Sequence, residues 1–291
     1  MKGGLHDPAF LQRLEHLSFV VRRVLGGKVR GERRGPRRGV GVEFHDFRAY
    51  VPGDDIRYLD WNVYGRLERL VLKLFVEEED LCLHLLLDGS ASMGFGTPVK
   101  FDYALRAAAA LGYIALTSHE RVAVGLFNEG VEASFGPVRG KGRIVPLLDF
   151  LSGLSCQGET RFATAVREYL QKIRTADLVM VVSDLLASGF EAGLDLLISR
   201  RCDLVLLHMV TPQEMDPPFA GEVILQDAET GEVREVPGEA ALGQYRKNLQ
   251  AFFDRVEGFC RRRGIDYLRF STAVPLEDLV LRHLRIGGVL A

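Results

Sequence analysis

Residues 81–92 read LCLHLLLDGSAS: an apolar run, Leu81–Leu87, stops at Asp88 and passes into a turn of Gly89, Ser90, Ala91 and Ser92. A strand with one wet face alternates apolar and polar residues. This run does not alternate, so it predicts a strand buried on both faces, as in a parallel sheet covered by helices. Three later runs have the same character: Val122–Phe127, Leu178–Val182 and Leu204–Val210. Between them lie helix-length segments at Phe101–Thr117, Ile144–Leu151, Phe162–Ile173 and Phe190–Arg200. Strand alternating with helix predicts an α/β fold, a Rossmann-like open, mostly parallel sheet with helices on both faces.

Downstream, residues 221–237 break the rhythm and predict an inserted β-hairpin turning near Thr230 and Gly231. A long helix at Leu242–Arg262, a strand at Asp266–Phe270 and a final helix at Leu276–Leu284 complete the pattern. Upstream, Asp7 and Pro8 are a cap and a first-turn proline for a helix over residues 8–25. Residues 26–41, rich in Gly and Arg, predict an exposed loop. Residues 42–80 predict a small β-rich segment, with turn chemistry at Pro52-Gly53-Asp54, a strand at Val71–Val76 and four acids at Glu77–Asp80. The domain reading is therefore 1–41 (helix and Arg-rich loop), 42–80 (β-rich segment) and 81–291 (α/β domain with a hairpin insertion near 221–237).

Composition narrows the function classes. Apolar residues form 47% of the 291, which suits a folded chain and argues against disorder. The net charge of −2 gives the whole molecule no pull toward nucleic acid or anionic membrane. Residues 1–40 do hold ten Lys or Arg against three acids. Without interleaved aromatics, the Arg-rich loop reads as solvated or partner-facing, and no nucleic acid is expected. Cys82, Cys156, Cys202 and Cys260 form no Cys-x-x-Cys pair, which fits a reducing compartment. The N-terminus lacks the apolar core of a signal peptide, and no apolar run reaches the roughly 18 residues of a membrane span. A cytoplasmic location without membrane insertion is expected.

Ligands of an open parallel sheet bind beyond the carboxyl ends of its strands. Three pieces fall there: the Asp88–Ser92 turn, Ser183-Asp184 after a later strand, and Gly158-Glu159-Thr160 just before the helix at Phe162. Among them Asp88 and Asp184 offer two carboxylates, and Ser90, Ser92 and Thr160 offer three hydroxyls. Hard oxygen donors with few negative charges suit Mg²⁺, or Mn²⁺. Two aspartates only neutralise such an ion, which leaves it electrophilic toward one more oxygen from outside. The bland alternative is an Asx-turn with capping serines.

The order Asp-x-Ser-x-Ser, then Thr, then Asp resembles the metal-ion-dependent adhesion site of von Willebrand factor A domains. That resemblance implies hydroxyl ligation by Ser90, Ser92 and Thr160, with Asp88 and Asp184 acting directly or through water. It also implies an open position for an Asp or Glu of a protein partner. Leu185 departs from the pattern, standing where a glycine is common. Upstream, GVGVEFHDFRAYVPGDDIRYLDWNVYGRLERLVLKLFVEEE (residues 39–79) resembles the conserved region of the fifty-eighth domain-of-unknown-function family, in which it precedes an A-like domain. The family implies association with a MoxR-type AAA+ ATPase in assembling or activating other proteins. Gly53-Asp54-Asp55, with Arg57, Asp60 and Trp61, forms a dense polar turn that reads as a structural ion-pair network rather than a second binding site.

Other chemistries fit less well. A phosphotransfer aspartate wants an acid two residues later, where Ser90 stands. No Gly-x-Ser-x-Gly elbow and no Walker A motif is present. His84 and His208 lie inside apolar strands and read as core groups. The expectation is a Mg²⁺-dependent binding module, not an enzyme; a metal-dependent phosphohydrolase using the same ion is the alternative.

Overall fold

The computed structural model describes residues 5–25, 43–52, 55–76, 82–173, 177–187, 189–218, 221–227 and 231–280. The Arg-rich loop, the acids Glu77–Asp80, Thr230 and the end of the last helix lie outside them. Asp7 begins the first helix as its sequence predicts, accepting the N–H of Ala9 at 3.2 Å. Helix α1 (Pro8–Leu25) buries Phe10 and Leu14. The chain divides into two units, Met1–Leu25 with Leu81–Ala291, and Gly26–Asp80. The helix read from the sequence as part of a separate first segment is thus a member of the larger unit.

The smaller unit pairs strand β1 (Glu43–Ala49) antiparallel with β2 (Val71–Val76), and helix α2 (Trp61–Leu67) lies in the connection. The polar turn has local jobs. Asp55 pairs with Arg57 at 2.6 Å. Asp60 caps α2, accepting the N–H groups of Asn62 and Val63 at 2.9 and 3.2 Å.

In the larger unit the elements follow as β3 (Cys82–Asp88), α3 (Lys100–Thr117), β4 (Arg121–Phe127), β5 (Val131–Arg139), α4 (Ile144–Ser152), α5 (Phe162–Tyr169), β6 (Leu178–Ser183), α6 (Phe190–Ile198), β7 (Asp203–Val210), α7 (Pro212–Met215), β8 (Glu222–Gln226), β9 (Val233–Pro237), α8 (Gly238–Arg263) and β10 (Asp266–Ser271). Six strands form one sheet in the order β10-β7-β6-β3-β4-β5, parallel except for β5. Strands β8 and β9 pair only with each other, as the inserted hairpin. Residues 276–280 are helical.

Because side chains alternate across a strand, β3 feeds both faces. Leu83, Leu85 and Leu87 join the core beneath α1, α3 and α4, whereas Leu86 joins the core beneath α5, α6 and α8. Every residue of β3 is buried, which is why its sequence shows no alternation. β5 escapes that reading. Its residues alternate in exposure at the sheet edge, and Gly136-Pro137 falls at a register irregularity where a proline costs no ladder bond. The predicted helix over Phe162–Ile173 is α for its first part and 3₁₀ from Leu170 to Lys172.

The strand order reverses between β3 and β6: the chain runs outward from β3 through β4 and β5, then returns to β6 on the other side. Crossovers leave that point in opposite directions and open a crevice at the carboxyl ends of the two strands. Asp88 closes β3 and Asp184 follows β6.

Candidate functional site

Asp88 sits at the end of β3 with its carboxylate turned back on the chain. Its Oδ1 accepts the N–H of Ser90 at 3.0 Å, the Asx-turn that the bland reading expects. The turn is not all of it. Thr160, 72 positions later, donates to the same oxygen at 3.0 Å. Ser183 donates to Oδ2 at 2.5 Å. Ser90 opens a 3₁₀ turn, Ala91–Gly94, but its hydroxyl does not cap it. It lies 3.0 Å from the hydroxyl of Ser92, which donates in turn to Oδ2 of Asp184 at 2.8 Å.

Backbone contacts hold these pieces together. Gly89 N–H donates to Phe127 O at the end of β4, and Gly89 O accepts from Gln157, both at 2.7 Å. A Cβ on Gly89 would stand 2.9 Å from Leu126 Cδ1, so any side chain here would have to displace that of Leu126 on β4. Ala91 N–H reaches Gly158 O at 2.9 Å, which lays the loop before α5 alongside the turn and brings Thr160 to Asp88. All five sequence-predicted residues (Asp88, Ser90, Ser92, Thr160 and Asp184) therefore meet in one hydrogen-bonded cluster. They are sunk below the rim: Thr160, the most open, is 8% exposed. Gly158, Glu159 and Phe95 stand exposed around them.

Three participants were not among the predicted residues. Ser183 precedes Asp184, and its hydroxyl both donates to Asp88 and accepts Leu185 N–H at 2.9 Å. Lys100 opens α3 and is fully buried, its ammonium 2.6 Å from Asp184 Oδ2 and 2.5 Å from Glu214 Oε1. Glu214 is fixed by a capping box with Thr211, which a Thr-x-x-Glu pattern signals in the sequence. A lone lysine at a helix start carries no such signal.

Leu185, where the resemblance leads to glycine, has φ +58°, the left-handed conformation a glycine takes readily. The loop keeps the glycine-like shape with a buried leucine in it.

Electrostatically the cluster is short of positive charge. Three carboxylates (Asp88, Asp184 and Glu214) face one ammonium. Burial, and then the neighbouring charge of Asp184, push the Asp88 carboxyl up to about 6. Burial pulls the Lys100 ammonium down, but Asp184 and Glu214 outweigh it and hold its pKa above the ordinary value. Oxygen donors around an under-neutralised buried carboxylate fit a small divalent cation. Among the described residues, no three or more His, Cys, Asp or Glu gather as a metal cluster, so any ion here would rely on hydroxyls. The Ser90 hydroxyl is engaged by the Ser92 hydroxyl and by the Asp88 carboxylate.

A parallel sheet with an antiparallel edge strand, and an Asp-x-Ser-x-Ser turn at its reversal crevice, define a von Willebrand A-like unit. The chain belongs to the family described as protein of unknown function DUF58, which matches residues 46–257. An uncharacterized protein of Mycobacterium bovis is 28% identical over 250 residues, covering 83% of this chain and 78% of that one. Among solved structures, the conserved hypothetical protein BatB from Bacteroides thetaiotaomicron is similar over 72% of this chain and 98% of its own, at 11% identity and a TM-score of 0.45. The SpRpn10 VWA domain is similar over 71% of this chain and 96% of its own, at 12% identity and a TM-score of 0.39. No helix among the described residues is long and apolar enough to cross a membrane.

Proposed function

We propose that this chain is a Mg²⁺-dependent protein-binding adaptor without catalytic activity of its own. Asp88, Ser90, Ser92, Thr160 and Asp184 would hold the ion, with Mn²⁺ as a substitute. Once bound, the ion supplies a positive centre with a coordination position for an oxygen from outside. The observation that carries the reading is the convergence of two buried carboxylates and three hydroxyls, from separate segments, at the reversal point of the sheet. A structural turn needs only the local bond from Ser90 N–H to Asp88 Oδ1. It gives no reason for Thr160 and Ser92 to point inward.

The external ligand is a carboxylate of a protein partner. A carboxylate on a partly desolvated divalent ion makes a strong charge-assisted contact. The sunken position favours an Asp or Glu that projects from its own backbone. The family resemblance names a MoxR-type AAA+ ATPase as the first partner to examine, in assembly or activation of other proteins.

Affinity capture from the native cell, in MgCl₂ and in excess EDTA, tests this. Partners are expected to be retained in MgCl₂ and lost in EDTA, and lost equally from Ser90→Ala and Thr160→Ala. Capture of the same partners in equal amounts in EDTA would reject the metal-bridged contact.

A further inference from the structure

A cavity of about 270 Å³ lies beside the site, between α8 and the ends of β6 and β7, with Asp184 and Glu214 in its wall. The polar groups facing it are engaged within the protein. Asp184 Oδ1 accepts Leu186 N–H at 3.2 Å, and Oδ2 holds Ser92 and Lys100. Glu214 accepts from Lys100 and Thr211 through its two oxygens. Tyr245 donates to Glu214 O at 2.7 Å, and the His208 ring bonds Tyr267 at 2.8 Å. What remains toward the space is the side-chain amide of Asn248, whose Oδ1 accepts from Gln244 at 2.8 Å, and a mainly hydrocarbon and aromatic surface from Leu186, Leu249, Phe252 and Phe253. Leu186 stands 57% exposed.

The volume falls just short of the range of pockets that take drug-sized ligands, and it suits one or two side chains. Two wall carboxylates repel an acid from the cavity itself. They leave it to a neutral apolar group continuous with whatever occupies the ion's outer position.

We propose that this cavity receives a leucine or phenylalanine side chain adjoining the partner's acidic residue, so that the recognised element is an acid next to a bulky apolar residue. The proposal rests on the reading of Asp184 as an ion ligand. The two contacts divide the work: the ion fixes the carboxylate, and the cavity selects its neighbour. Burying one such side chain is worth about tenfold in affinity.

The test uses capped pentapeptides with a central Asp flanked by Phe, Leu or Ala, titrated into the full chain in MgCl₂ and in EDTA. Phe or Leu on one flank is expected to tighten binding about tenfold over Ala. Leu249→Trp, at a half-buried position in the cavity wall, should erase that preference while Mg²⁺ binding by calorimetry stays unchanged. Equal affinity for the three flanks, a preference that survives Leu249→Trp, or no peptide binding overturns the proposal. So does a wild-type dimer that Leu249→Trp turns monomeric, since a second copy then fills the cavity. Mg²⁺-dependent binding without flank preference sinks the cavity alone and leaves the ion reading standing. A flank preference that persists in EDTA overturns the ion reading instead.

Discussion

The Lys100 ammonium is 2.6 Å from Asp184 Oδ2, in a pair from which solvent is excluded. It is the cation nearest the cluster, and it also reaches Glu214 at 2.5 Å. A buried pair gains less than its Coulomb energy suggests, but removing one partner strands the other charge. Lys100→Met is therefore expected to destabilise the metal-free protein by about 3–5 kcal/mol. Saturating MgCl₂ should restore part of that loss, because the ion supplies the missing positive charge. Urea unfolding in EDTA and in MgCl₂ measures both. An equal loss in the two conditions would show that Lys100 and the ion do not share a field.

Asp88 gives a pH dependence of defined sign. Its carboxyl is raised from an ordinary 3.8 to about 6, chiefly by burial and secondly by Asp184. Between those values the folded state keeps a proton that the unfolded chain has released. The group therefore favours folding most below pH 3.8, and that contribution is lost as pH rises through 6. At neutral pH the unprotonated, metal-free site costs up to about 3 kcal/mol. Asp88→Asn should make the metal-free protein more stable than wild type above pH 6, by up to that amount, with the gap closing toward pH 4. Unfolding curves in EDTA across that range check it. A variant less stable than wild type at pH 8 contradicts the account of a strained, ion-seeking carboxylate.

The sheet was legible because burial on both faces writes itself as nearly continuous apolar runs, each broken only by one buried histidine, as in Leu83–Leu87 and Leu204–Val210. β5 was not, because an edge strand carries Glu132, Ser134 and a Gly-Pro step, which read as loop. The proposed ligands were legible because each lies within a few residues of a strand or helix end. Lys100 and Glu214 were not, because their importance is a meeting of positions 114 apart in the chain. No periodicity encodes such a meeting.

Leu185 sets two effects against each other. A left-handed leucine costs about 1–2 kcal/mol relative to glycine. Its full burial returns about 1.5–3 kcal/mol, and truncation adds a cavity penalty. Leu185→Gly should relieve the backbone yet lose net stability, about 1–3 kcal/mol, with the Asp184 loop unchanged in shape. Thermal melts of the variant, with Mg²⁺ affinity measured alongside, decide it. A more stable variant would mean that the backbone term outweighs burial at this site.

The central claim is that a divalent ion binds at Asp88 and Asp184. Titrating MgCl₂ into the metal-stripped full chain by calorimetry tests it most directly, with Asp88→Asn as the folded control. The account predicts a single site in the wild-type protein, filled by Mg²⁺ or Mn²⁺ and less well by Ca²⁺, which prefers more oxygen ligands than this cluster offers. It predicts no binding heat from Asp88→Asn. Indistinguishable Mg²⁺ affinity in the two proteins would contradict the assignment.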